Sequence, residues 1–565
     1  MKSYSVRPFQ GETLLDHLLY HRGVTDAAER ENFLNPSYDL GLNDPFLLSD
    51  MEKAVTRIGQ AIDKNEKIMI WSDYDADGIP GAVVLSDFFK MIGYTNVGVY
   101  IPHRHKEGFG LNPDAVEMLT KDGAKVIITI DCGITGVAEV AMANKGGVDV
   151  IITDHHLPGP VLPAAFAIVN PKTSPEYPDQ MICGSGVVFK LIQALLKKDR
   201  RGVPEGKEKW LLDMVGIATL SDMVPLKGEN RVFSNYGLKV LRKSLRVGLK
   251  KLLSSLKISQ KDLTEDDVGF MITPRINVAS RMGEPIDAFR LLSTEDEQEA
   301  TELVEKLNGM NNERKGAVGA IAKEIQHKIA SRGLINKKVI VLGNPSWRPA
   351  VLGLVANSLM KEYKKPVFLW GRGESDGVQD ILKGSCRSEG KTDVVALMHA
   401  VTDDIFIDRG GHKMSGGFSM LTEHAHLLDD ALNTSYEKLY DGHLHVIDEE
   451  LLADHLLSLD DIDFRLWDIV DKLAPFGMDN TKPLFLLKGV TASDVKRFGK
   501  LKEHMEIIFT KENGKKVSAI SFFAEEDEKF AGLAAGSRFD LVATLERSTF
   551  KNYPELRLRI VDVSL

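Results

Sequence analysis

The chain has 565 residues but only three cysteines, Cys132, Cys183 and Cys386. So few thiols, so far apart, exclude a disulfide framework and a zinc knuckle. They fit a reducing compartment. No run of roughly 18 apolar residues occurs, so no membrane span is expected. Met1 to Gly11 lacks the apolar stretch and small-residue cleavage site of a secretory leader, so a cytoplasmic location is expected. An excess of positive charge is also missing, the net charge being −10 at pH 7. That balance speaks against wide, non-specific wrapping of duplex DNA. It remains compatible with a local basic groove that feeds a phosphodiester to an acidic site.

What is present is ordinary for a folded protein: 43% hydrophobic and 27% charged residues. The length suits roughly three or four domains. Residues 1–50 are polar and punctuated by Asn35-Pro36 and Asn43-Asp44-Pro45, and read as an extension packing on the first domain. The next unit, 51–292, alternates strands and helices. Lys67–Trp71, Asn96–Ile101, Lys125–Ile130 and Val148–Thr153 are predicted strands, with helices over Val83–Met91 and Ala138–Asn144. Continuous Val/Ile runs mark strands buried on both faces, and the alternation implies an open, doubly wound parallel sheet. From Ser185 to Leu256 the pattern is helical. Residues 293–332 form a charged connecting helix, with Gly309 and Asn311-Asn312 weakening it midway. A second α/β unit, 333–470, starts at Lys338–Leu342. The last unit, 471–565, changes to the alternating pattern of strands around Asn513-Gly514, a hairpin signal, and reads as a small antiparallel barrel.

Four acidic motifs carry the chemistry. Asp73, Asp75 and Asp77 follow the first buried strand within Asp73-Tyr74-Asp75-Ala76-Asp77-Gly78. Three carboxylates in five positions repel one another unless a cation neutralises them. A calcium loop of the helix–loop–helix type needs a bidentate Glu at its twelfth position, where this chain has Val84, so that reading fails. Asp131 follows the third strand in Asp131-Cys132-Gly133, a position that alone would suit a helix cap. Thr153-Asp154-His155-His156 closes the fourth strand, and its adjacent histidines project in different directions. Asp222 sits in the apolar stretch Gly216–Leu226, where burial is costly unless the charge is paired or metal-bound. Together these residues offer hard oxygen donors and one or two imidazoles, a mix that favours Mn²⁺ or Mg²⁺ over structural zinc. Two such ions would support phosphodiester hydrolysis.

The four motifs, ending in Ser221-Asp222-Met223-Val224-Pro225-Leu226, resemble motifs I to IV of the DHH phosphoesterase superfamily. Gly384-Ser385-Cys386-Arg387-Ser388 and Gly410–Gly417 resemble the DHHA1 domain. Pro475-Phe476-Gly477-Met478-Asp479-Asn480 and the β-rich end are similar to the OB-like domain of the RecJ family. The resemblance covers nearly the whole chain, in order. It implies a DHH-type α/β domain, a connecting helix, a second α/β domain of DHHA1 type and a terminal OB-like β-barrel. It also implies a two-metal exonuclease that degrades single-stranded DNA from the 5′ end in repair and recombination. Asp75, Asp77, Asp131, His155 and Asp222 are its implied metal ligands, with Asp73 and His156 as ligands or their immediate partners. Arg104, Phe109, Arg281, Ser385, Arg387 and His412 match the substrate-handling positions, His412 also among the catalytic ones. Single-strand-binding protein and a helicase are implied partners, and a monomer is expected.

Each Arg read alone would be a surface ion pair. Four positions depart from the family pattern: Phe109 replaces Tyr, Ser280 replaces Gly, and Arg348 and Ala350 replace His and Gly. Arg547, Phe550, Lys551, Tyr553, Arg557 and Arg559 give the barrel the basic and aromatic mix that suits single strands, although Phe550 and Tyr553 equally suit the flanks of a hairpin turn. Two other functions compete: a phosphatase or oligoribonuclease for short or cyclic nucleotides, and a non-catalytic replication scaffold. Scaffolds of that kind lose metal carboxylates, whereas every ligand position here is filled.

Overall fold

The computed structural model describes residues 4–372, 380–401, 404–440, 451–499, 502–522, 524, 530, 532–548 and 554–564. After a short first strand, β1 (Tyr4–Val6), the chain builds a sheet from β2 (Ile68–Ser72), β3 (Val97–Tyr100), β4 (Val126–Ile130), β5 (Asp149–Thr153) and β6 (Ala167–Val169). All its pairings are parallel, in the order β3-β2-β4-β5-β6. β2 and β4 are buried along their whole length, as helices on both faces require. Ile70, Ile128 and Ile151 join the larger core with the helices Gly78–Met91 and Gly184–Lys198. Trp71, Ile127 and Ile152 form a second core with Val116 and Val140. Because β2, β4 and β5 are neighbours, Asp73, Asp131 and Asp154 leave the sheet side by side. The helix Leu212–Ser221 delivers Asp222 at its C-terminal cap.

The connecting segment is one unbroken helix, Glu297–Arg332. The sequence expectation of weakness around Gly309 is overridden by burial. Leu303, Val304 and Leu307 sit in the catalytic core, and Ile321, Ile325 and Ile329 in the next one. Burying six such side chains is worth several kcal/mol, against about 1 kcal/mol for a helical glycine.

The second sheet consists of β7 (Ile340–Gly343), β8 (Val367–Arg372), β9 (Ile381–Arg387), β10 (Asp408–His412) and β11 (Ser415–Leu421). Its order is β10-β11-β9-β8-β7, with only β7–β8 parallel.

The last unit includes β12 (Leu451–Ala453), β13 (His455–Leu456), β14 (Phe485–Thr491), β15 (Asp494–Phe498), β16 (His504–Thr510), β17 (Lys516–Ser521), β18 (Arg538–Ser548) and β19 (Glu555–Ser564). Seven of these form one sheet, β13-β14-β18-β19-β17-β16-β15, antiparallel except at β13–β14 and β17–β19. The Asn513-Gly514 hairpin joins β16 to β17 as its sequence predicts. Leu457, Ile462, Leu466 and Val470 already belong to this unit's core, upstream of the boundary expected at 471.

Residues 1–50 do more than extend the first domain. Tyr38 and Leu48 pack on the first core, but Leu18, Leu19 and Phe33 belong to the core of the C-terminal unit. β1 pairs in parallel with β12. Among the described residues no helix is long and apolar enough to cross a membrane.

Candidate metal centre

Glycines shape the loop after β2. A side-chain carbon on Gly78 would fall 2.4 Å from the Asp73 carbonyl oxygen, so only glycine lets the chain turn into the next helix there. Asp75 accepts hydrogen bonds at Oδ1 from the N–H groups of Asp77 (2.8 Å) and Gly78 (3.1 Å). Asp77 is held from the opposite side. Its Oδ2 accepts from the N–H of Gly184 (2.6 Å) and its Oδ1 from that of Ser185 (2.7 Å), both in the first turn of the helix Gly184–Lys198.

Asp131 takes a left-handed backbone, φ 58°, which turns its side chain back over the strand ends. The same helix start closes over it: a side-chain carbon on Gly184 would lie 2.6 Å from Asp131 Cβ. Asp73 Oδ1 and Asp131 Oδ1 are buried and accept no hydrogen bond among the described residues. A buried, unsatisfied carboxylate oxygen is strongly disfavoured without a cation.

His155 brings the group together. Its Nε2 lies 3.1 Å from Asp131 Oδ1, 3.6 Å from Asp222 Oδ2 and 3.8 Å from Asp77 Oδ2. The closest of these contacts lacks hydrogen-bond alignment, since Asp131 Oδ1 has no donor. Lone pairs that converge without meeting suit one shared ion. Three sets of donor atoms lie within 4.8 Å of one another: Asp131, His155 and His156; Asp77, His155 and Asp222; Asp73, Asp75 and Asp131. All six predicted metal residues therefore meet, with His156 beside them. Shared members, Asp131 and His155, link the sets as a two-ion centre requires.

The electrostatics point the same way. Burial, followed by repulsion from Asp75, pushes Asp77 up to about 6. Burial and the neighbouring Asp77 push Asp222 up to about 9. Asp73 and Asp131 are driven well above the ordinary carboxylate range, first by burial and then by the other aspartates. His155 is pushed down to about 3, chiefly by burial, and so is a neutral imidazole at pH 7. Carboxylates that resist ionisation beside a neutral imidazole form a hard donor set prepared for divalent cations.

Sequence reasoning assigned no role to Asp154, and the structure supplies one. It is fully buried; Oδ1 accepts from the N–H groups of His155 (2.7 Å) and His156 (3.0 Å) and lies 2.8 Å from His156 Nδ1. Oδ2 accepts from Ile134 N–H at 3.0 Å. Burial alone would raise its carboxyl, but these donors hold it below the ordinary range, and His156 is raised in return. Gly184 and Ser185 were also missed. Their one signal was Gly184-Ser185-Gly186 at a helix start, a pattern that exposes N–H donors.

A cavity of about 240 Å³ opens on the centre, lined by Asp73, Asp75, Asp131 and Asp222 together with Arg104, Phe109 and Arg281. Asn277 also lines it and fixes the first motif by accepting from Ala76 N–H at 2.9 Å. Arg104 stacks over the Tyr74 ring at 4.9 Å, and Phe109 packs edge-on against His156 at 5.5 Å. Arg281 donates from Nη1 to the Ala350 carbonyl at 3.0 Å, tying the first unit to the second. Burial and the nearby Arg104 and Arg314 lower Arg281 to about 9. Arg387 is lowered too, by burial and by Arg104. Ser385 and Arg387 lie together on β9 under Gly353, where an added carbon would sit 2.9 Å from Arg387 Nη2 and 3.7 Å from Ser385 Oγ. Among the described residues none of these arginines has a carboxylate within ion-pair distance, unlike Arg348, which pairs with Glu313 at 3.0 Å.

His412 is not gathered in. It lies exposed on β10 opposite Ser415, and among the described residues no hydrogen bond or ion pair joins it to the aspartates. Phe550, Lys551 and Tyr553 lie outside the described residues. Arg559 stacks over Phe522 at 4.1 Å, and Arg557 pairs with Glu546 at 3.1 Å.

Comparison with known proteins decides the family. The model of the DHH family N-terminal domain matches residues 67–219, that of the DHHA1 domain 336–439, and that of the RecJ OB domain 453–562. The single-stranded-DNA-specific exonuclease RecJ of Bacillus subtilis is 34% identical over 556 residues, covering 98% of this chain and 68% of the relative. This chain belongs to the RecJ family. Its fold matches that of RecJ from Thermus thermophilus in complex with Mn²⁺, with a TM-score of 0.80 and 27% identity over 100% of this chain and 79% of the other. The Mg²⁺ complex of the same protein gives 0.74 and 25%, covering 100% and 78%.

Proposed function

We propose that this protein is a metal-dependent exonuclease that hydrolyses single-stranded DNA from its 5′ end, acting in DNA repair and recombination. The observation that carries this reading is that buried, unsatisfied aspartates and arginines without a carboxylate partner line one small cavity. In this reading Asp73, Asp75, Asp77, Asp131, His155 and Asp222 hold two Mn²⁺ or Mg²⁺ ions. Such ions, when bound, supply an activated water and neutralise charge on the phosphoryl oxygens.

The chain's own residues do the rest. Arg104, Arg281 and Arg387, with Ser385, grip phosphate oxygens, the guanidinium forks fixing their geometry. Phe109 offers a ring to a base. His156, held by Asp154 and made more basic by it, faces the phosphate from the metal side. Residues 51–292 then hold the metals, 333–470 the phosphate, and 471–565 the incoming strand. The protein works as a monomer in the cytoplasm, with single-strand-binding protein and a helicase as partners.

The test is digestion of end-labelled single-stranded DNA, duplex and dinucleotide in Mn²⁺ or Mg²⁺. Mononucleotides released from the 5′ end of the single strand are expected. Turnover of the dinucleotide alone would move the assignment to short nucleotides, and an inert single strand would refute it.

A further inference from the structure

Phe270 sits where an apolar residue has no structural reason to be. It is 74% exposed and joins none of the hydrophobic clusters, while its neighbours Val268 and Ile272 are buried. Single exposed apolar residues are common on protein surfaces, so exposure alone carries nothing. The backbone and the surroundings carry more. Val268–Ile272 is a π-helical turn leading directly into the helix Thr273–Met282. Such turns are rare and concentrate at functional sites. Thr273, Asn277 and Arg281 follow at intervals of four, on one face of that helix. Thr273 Oγ1 lies 2.5 Å from the hydroxyl of Ser221, next to Asp222, while Asn277 and Arg281 line the metal cavity. Phe270 is thus about one turn, roughly 5 Å, before the first residue of this face.

The turn is also anchored from its other end. Asp266 pairs with Lys482, which belongs to the C-terminal unit. Phe270 lies in the chain between this link to the C-terminal unit and Asn277 and Arg281, which line the metal cavity.

We infer that Phe270 is a base-stacking residue, holding a nucleotide of single-stranded DNA as the strand passes from the C-terminal unit to the metal cavity. The inference rests on the exonuclease reading for its ligand. A phenyl ring offers a face to any base, so the contact adds affinity without sequence preference. It acts by positioning the strand rather than by touching the reacting phosphate.

The experiment compares wild type with Phe270→Ala, Phe270→Trp and the surface control Leu245→Ala. One arm measures steady-state kinetics on long single-stranded DNA in Mn²⁺. The other follows the fluorescence of single strands carrying 2-aminopurine at successive positions, on metal-free protein. Phe270→Ala is expected to raise KM about tenfold, keep kcat within about twofold and abolish quenching at one position, while Phe270→Trp restores both. Unchanged melting temperatures exclude misfolding. Equal KM and equal quenching for wild type and Phe270→Ala would overturn the inference while wild-type cleavage leaves the exonuclease standing. Absent cleavage with Phe270-dependent quenching would instead remove the exonuclease and leave the stacking residue.

Discussion

Asp131 combines a left-handed backbone, a buried oxygen with no donor, and an imidazole 3.1 Å away. Each is costly without a cation and reasonable with one. Asp131→Asn is therefore expected to lower kcat about 100-fold or more, since an amide is a poor ligand for a hard ion. The same change should raise the melting temperature in EDTA by a few degrees, because it replaces a buried carboxyl that cannot ionise freely by a neutral amide. Steady-state kinetics and thermal melts read the two effects, and a fall in both activity and metal-free stability would contradict this account. Asp154→Ala acts one step further out. It frees the His156 ring and three N–H donors, and should weaken Mn²⁺ binding about 10–100-fold by titration calorimetry.

The aspartates also set a pH dependence. A carboxyl raised in the fold keeps its proton where the unfolded chain has lost it, so stability falls as pH rises toward the folded value. Between pH 7 and 9 unfolded carboxyls are already ionised, while Asp222, near 9, is still losing its proton. Asp73 and Asp131 push in the same direction. His155, near 3, is neutral in the fold throughout and counts little there. The melting temperature in EDTA should thus drop from pH 7 to pH 9. Saturating Mn²⁺ should remove most of the drop, and an identical slope with and without metal would speak against the centre.

Among elements, two glycines behave in opposite ways. Gly309 lies inside the connecting helix with open space around an added carbon. Gly309→Ala should stabilise the protein by about 1 kcal/mol, seen as a higher melting temperature with activity retained. Gly184 has Asp131 Cβ at 2.6 Å from the carbon it lacks. Gly184→Ala should push the helix start off Asp77 and cost about tenfold or more in kcat. Element types were legible because their signals are local: a Val/Ile run followed by aspartate reads as a buried strand delivering a ligand. Asp154, Gly184 and Ser185 were not, because their value depends on neighbours brought in by the fold. The connecting helix was legible, but not its continuity, for the same reason: Leu307 and Ile325 outweigh Gly309 only once both cores exist.

Over the whole molecule, residues 1–50 act as a strap that local pattern could not reveal. Arg231, in the catalytic unit, donates to the Phe33 carbonyl at 2.6 Å and to those of Leu473 and Ala474 at 3.2 Å, and stacks on the Phe33 ring at 3.6 Å. One buried cation thus joins three parts of the chain. The cavity, the connecting helix and the C-terminal sheet are held in one arrangement by such contacts, and the proposed path of the strand depends on it. The measurement closest to the central claim is anomalous diffraction at the manganese edge from crystals soaked in Mn²⁺. Two peaks a few ångströms apart among Asp73, Asp75, Asp77, Asp131, His155 and Asp222 are expected, with at least one lost in Asp131→Asn. No peak within that group, with ions bound only elsewhere, would contradict it.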